Sequence, residues 1–166
     1  MMAHSVYQTD WNVMRLFRLD GQTAFVTGGA RGLGYGMALA LAEAGADVVL
    51  TSRTLKNAQE AASEIAAHTG QKAIGVQLDV TREDEVKACI EAVLRQVGKI
   101  DILINNAGNV TSTPETAPFH KRPTALWNEV LDTNLNGTYY CTRYVADLCM
   151  MQRKSGKIIN LSLIHI

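Results

Sequence analysis

The stretch VTGGARGLG (26–34) decides the fold. It takes over from TAFVT (23–27), a short apolar run rich in β-formers, and leads into YGMALALAEAG (35–45), which reads as a helix stopped at Gly45. Strand, turn and helix make the first half of a βαβ unit. Gly28, Gly29, Gly32 and Gly34 let backbone N–H groups approach a pyrophosphate, and the helix N-terminus adds partial positive charge. The spacing is G-x-x-x-G-x-G. No Lys-Ser/Thr pair follows the last glycine, so the turn is not a P-loop, and the strict G-x-G-x-x-G fingerprint is also absent. Taken alone, it also fits a tight βα connection that binds nothing.

The pattern continues on the C-terminal side. DVVLT (47–51) is a second buried strand. Thr54 is a candidate N-cap for a helix to His68, with Gly70 as its stop. KAIGVQLDV (72–80) holds the third strand, and Thr81 with Asp84 makes a capping-box pattern. Val86, Cys89, Ile90, Val93, Leu94 and Val97 then fall on one helix face ended by Gly98. DILIN (101–105) is the fourth strand. A polar loop with Pro114, Pro118 and Pro123 precedes a long helix from about Thr124 to Met151. KIINL (157–161) reads as a buried fifth strand. Apolar strands alternating with amphipathic helices predict an α/β fold, a doubly wound parallel sheet of about five strands covered on both faces. Residues 1–13 are polar and patternless and are expected to be a flexible extension, with Met14 a credible start.

The 166 residues are 47% hydrophobic and 19% charged, an ordinary globular balance. Sixteen basic residues match sixteen acidic ones, so no global field draws in nucleic acid or a membrane surface. No apolar run reaches bilayer length and the N-terminus lacks a secretory signal, so the expected location is the cytoplasm. Cys89, Cys141 and Cys149 lack CxxC spacing and read as core thiols. His4, His68, His120 and His165 are scattered, and no metal site is expected.

TGGARGLG (27–34) and NNAG (105–108) together resemble the short-chain dehydrogenase/reductase family. LDVT (78–81) and Asn134, within DTNLNG, fit the same pattern in the same order, and the resemblance covers about residues 14–160. It implies a Rossmann-type domain over that span. It also implies that Thr27, Gly28, Gly32, Leu33 and Gly34 belong to the phosphate-binding turn. Asp79 and Val80 would meet the adenine, the carboxylate accepting from its amino group. Asn106, Ala107 and Gly108 would line the ribose and nicotinamide side. Asn134 falls within an apolar helical stripe, Trp127, Val130, Leu131, Leu135 and Thr138, expected to face inward. By spacing alone it reads as a core amide bonded to nearby backbone. By resemblance it helps hold a water in the family's proton relay.

The residues after the second strand bear on the cofactor. An acid there would hold the ribose 2′-hydroxyl of NAD. This chain has Ser52 and Arg53, with Arg31 in the glycine turn, which suits a 2′-phosphate, so NADP(H) is expected over NAD(H).

The family's chemistry needs a serine just past the fifth strand and a Tyr-x-x-x-Lys beyond it. Aligned on GKIIN (156–160), the serine position holds Leu163, Ser162 stands one place early, and no Tyr-x-x-x-Lys occurs. The expectation is a truncated chain with one sheet edge and face bare, and LSLIHI (161–166) is expected to be artefactual, its back-translation resembling a transposon end used in sequencing libraries. The whole protein is then expected to be an NADP(H)-dependent reductase of a small-molecule carbonyl. Its opening resembles gluconate 5-dehydrogenases and 3-oxoacyl-carrier-protein reductases, and the family implies a homotetramer or homodimer. The alternatives are a non-catalytic NADP(H)-binding module and a ligand-free scaffold.

Overall fold

The structure is a computed structural model and describes residues 13–109 and 118–162. The extension over 1–12, the loop with Pro114 and residues 163–166 of the expected artefactual tail lie outside the described residues. Val13, assigned to the extension, begins a short helix, α1 (Val13–Leu16).

Five parallel strands, β1 (Thr23–Val26), β2 (Asp47–Ser52), β3 (Ala73–Gln77), β4 (Ile102–Asn105) and β5 (Lys157–Asn160), form one sheet in the order β3-β2-β1-β4-β5. Helices cover both faces, because neighbouring strand residues point to opposite sides. Ala24, Val26, Val48, Leu50, Ile102 and Ile104 pack against α2 (Gly32–Glu43) and α3 (Leu55–Thr69) through Ala38, Ala42, Ala58, Ala62 and Ile65. Phe25, Val49 and Leu103 pack on the other face against α4 (Glu83–Val97) and the later helices. On α4, Val86, Ile90 and Val93 are buried, with Cys89, Leu94 and Val97 packed beside them, so the predicted face of that helix is the one the core uses.

The expected helix from Thr124 to Met151 is α5 (Thr124–Leu131), α6 (Gly137–Val145) and α7 (Met151–Arg153), joined by π turns at Asp132–Asn136 and Ala146–Met150. A π turn adds a residue to one turn and shifts the phase of everything after it. The stripe nevertheless does not hold as an inward face: Trp127, ahead of the first π turn, is 54% exposed and Leu135, within it, 61%. The buried positions come later, at Gly137, Cys141 and Val145.

Three further expectations are corrected. β5 is not buried, since it is the outer strand beyond β4, and Ile158, Ile159 and Leu161 are exposed. The Thr81–Asp84 capping box does not form, because the Thr81 hydroxyl donates to Asp79 (2.8 Å) and α4 begins after Arg82. Thr54 is the N-cap of α3 by position, yet its side chain makes no capping bond.

Candidate functional site

The strand order reverses direction between β1 and β4, and a crevice opens at the carboxyl ends of strands where such a reversal occurs. The glycine turn follows β1 and NNAG closes β4, so the two predicted motifs flank that point. A cleft of about 900 Å³ lies there.

Twelve of the fourteen predicted residues line it. Gly28, Arg31, Gly32, Leu33 and Gly34 come from the turn, Ser52 and Arg53 from the end of β2, Asp79 and Val80 from beyond β3, and Asn106, Ala107 and Gly108 from beyond β4. Thr27 does not line it. Its side chain is 1% exposed, and its hydroxyl oxygen accepts from the Asn106 N–H (3.0 Å) and the Ala107 N–H (2.9 Å). Thr27 is therefore a strut between the two motifs. Asn134 does not line the cleft either. Its Oδ1 accepts from the Asn109 N–H (2.7 Å) and its Nδ2 donates to the Asn109 carbonyl (3.1 Å), so it is a backbone-bonded amide, but a half-buried one rather than the core residue that spacing suggested.

The turn is built for close approach. Gly28 and Gly32 sit at φ 63° and 56°, the left-handed region that favours glycine. A Cβ at Gly34 would lie 2.4 Å from both Asn106 Nδ2 and the Gly28 carbonyl oxygen. The Asn106 amide fills that space and donates to the Thr27 carbonyl (2.9 Å) and the Gly28 carbonyl (3.1 Å). Helix α2 starts at Gly32 with no side-chain cap and no acidic residue in its first turn. Its first N–H groups are thus left for an anion. These features fit a dinucleotide pyrophosphate.

Charges are arranged along the cleft. Arg31 and Arg53 are exposed, and among the described residues their guanidinium groups have no hydrogen bond or ion pair. The Ser52 hydroxyl accepts from the Thr54 N–H (3.3 Å). Asp79 takes both the Thr81 N–H (3.0 Å) and the Thr81 hydroxyl (2.8 Å) on Oδ1, and among the described residues Oδ2 has no partner.

Sequence reading missed Asn57, Glu60, Glu64, Asn109, Glu129 and Thr133, which also line the cleft. Asn57, Glu60 and Glu64 fall at i, i+3 and i+7 of α3, so helical periodicity carries the signal once α3 is known to flank β2. Asn109 and Glu129 carry no local signal. They meet only in the folded chain, where the Asn109 Nδ2 donates to Glu129 Oε1 (2.5 Å).

Comparison with known proteins agrees with this geometry. The profile of the short chain dehydrogenase family matches residues 22–165. A 3-oxoacyl-[acyl-carrier-protein] reductase of Synechocystis is 40% identical over 145 residues, 87% of this chain and 56% of the relative. The crystal structure of a gluconate 5-dehydrogenase from Burkholderia cenocepacia in complex with NADP and tartrate superposes with a TM-score of 0.80 at 35% identity, over 89% of this chain and 55% of that one. An NAD+-bound xylitol dehydrogenase gives 0.78 at 30%, over 84% and 52%. The chain spans about half the length of the curated relatives it matches. With the glycine turn, the β4 loop and the strand order all in agreement, this chain belongs to the short-chain dehydrogenase family.

Proposed function

We propose that this chain binds NADP(H), and that the protein it represents is an NADP(H)-dependent oxidoreductase acting on a carbonyl or secondary alcohol of a small molecule. The observation that carries the cofactor choice is that Arg31 and Arg53, both without an ion pair among the described residues, line the cleft with Ser52, where an acid would select NAD. Asp79 Oδ2 is the acceptor for the adenine amino group, and Gly28, Gly32, Leu33 and Gly34 surround the pyrophosphate. Asn106, Ala107 and Gly108 face the nicotinamide half. Bound NADPH supplies a hydride, and the protein's part is to orient the ring. Asn134 holds the loop after β4 in place through the Asn109 backbone, and its part in a proton relay belongs to the same proposal. Sugar acids, polyols and 3-oxoacyl thioesters are the substrate classes in view, on the names of the relatives. A cytoplasmic location is supported by three free thiols, and a homo-oligomer by the exposed Trp127, Leu135 and Tyr139.

The chain as it stands has no Tyr-x-x-x-Lys, which favours binding without turnover here. Titration with NADPH and NADH followed by nucleotide fluorescence tests the reading. NADPH should bind more tightly, and Arg53→Ala should weaken it about tenfold to a hundredfold, the loss of a hydrogen-bonded charge pair, while NADH changes less than about twofold. Equal loss for both nucleotides removes the cofactor argument, and no binding of either favours a ligand-free scaffold.

A further inference from the structure

We propose that Glu129 gives the cleft a preference for the oxidised, cationic nicotinamide ring over the neutral reduced one. This rests on the nucleotide-binding reading above. Asn109 follows directly on Asn106–Gly108, the segment assigned to the nicotinamide half, and Glu129 of α5 completes the cleft wall beside it. The pair is held, not free. Both backbone groups of Asn109 are fixed by Asn134, at 2.7 and 3.1 Å. The Asn109 side chain donates to Glu129 Oε1 (2.5 Å), and the Glu129 carbonyl accepts from the Thr133 hydroxyl (3.1 Å).

Among the described residues the holder is a neutral amide and no cation is paired with Glu129. The other carboxylates of the cleft stand elsewhere and are engaged. Glu60 lies 3.7 Å from Lys56, the Glu64 carboxylate meets Tyr35, and Asp79 holds Thr81. All three belong to the β2–β3 side, with the arginines, whereas Glu129 stands on the β4 side. The cleft thus carries its arginines on the β2 side, where the 2′-phosphate would sit, and a carboxylate on the β4 side. The two redox forms of the cofactor differ in charge only at the ring. A single carboxylate near that ring discriminates between them, while one near the adenosine half does not.

The test is calorimetric titration of the full chain and of Glu129→Gln with NADP+ and with NADPH, at low salt and at about 0.5 M salt. Glutamine keeps the size and the oxygen that accepts from Asn109. NADP+ should bind the variant about threefold more weakly, the effect of one exposed charge, and the difference should shrink as salt screens it. NADPH should change less than about twofold. Asn109→Ala should shift the NADP+ to NADPH ratio in the same direction, by releasing the carboxylate. An unchanged ratio in Glu129→Gln, or equal weakening of both forms, overturns the inference while leaving nucleotide binding intact. Absence of binding by the unaltered chain overturns the underlying function instead.

Discussion

Thr27→Val removes the strut between the glycine turn and the β4 loop without changing its shape. The Thr27 oxygen serves two backbone donors, Asn106 N (3.0 Å) and Ala107 N (2.9 Å), and its own proton goes to the Ile104 carbonyl (3.4 Å). Valine fills the same volume and leaves both N–H groups without that acceptor. An unmade buried hydrogen bond costs about 1–3 kcal/mol. Asn106 and Ala107 are only half-buried, so each loss falls toward the lower end and the pair costs roughly 2–4 kcal/mol. Thr27→Ser is the control. It keeps the oxygen and deletes one buried methyl, a loss of about 1 kcal/mol. The expected gap between the variants is thus about 2 kcal/mol. At a urea m-value of about 2 kcal/mol/M, that gap separates their unfolding midpoints by about 1 M. Urea unfolding followed by circular dichroism measures it. NADPH affinity of the folded valine variant should also fall below that of the serine variant, because Asn106–Gly108 loses its anchor. Coincident midpoints for valine and serine would refute the reasoning, since both N–H groups would then be satisfied without Thr27.

Two further outcomes follow from groups outside the cleft. Burial works against the Asp101 carboxylate, but the Thr23 N–H (2.9 Å), Arg153 (2.7 Å) and Lys99 (3.0 Å) outweigh it and hold its pKa below the ordinary value. A depressed folded pKa gives stability that is present above the unfolded value, near 4, and is lost as pH falls through the folded one. Asp101→Asn should therefore unfold at lower urea than the unaltered chain at pH 6, with the gap closing below about pH 4; a gap independent of pH would contradict the linkage. Burial also pushes the thiols of Cys89 and Cys141 up to about 11 and about 12. At pH 8 iodoacetamide should leave both unmodified in the folded chain and alkylate them once urea unfolds it, as read by peptide mass spectrometry; rapid labelling of either in the native state would contradict this.

The sequence by itself determined the elements and the two motifs. Strand and helix leave their own period in the chain, and Gly28, Gly32 and Gly34 are required by local backbone geometry and close approach. Gly28, Arg31, Gly32, Leu33 and Gly34 could be read from the glycine turn, Ser52 and Arg53 from the end of β2, and Asp79, Val80 and Asn106 to Gly108 from the family resemblance, and all of them line the cleft. Where the reading failed, the deciding contact was distant or the period was broken. The stripe at Trp127 and Leu135 stays exposed, since periodicity marks a face of a helix but not what covers it. Thr27 looked like a ligand residue until its partners, 79 and 80 positions away, claimed its oxygen. Only the tertiary structure set Glu129 against Asn109, twenty residues distant. Pairing across the sheet and between loops depends on which segments meet when the core closes, and local patterning does not encode that.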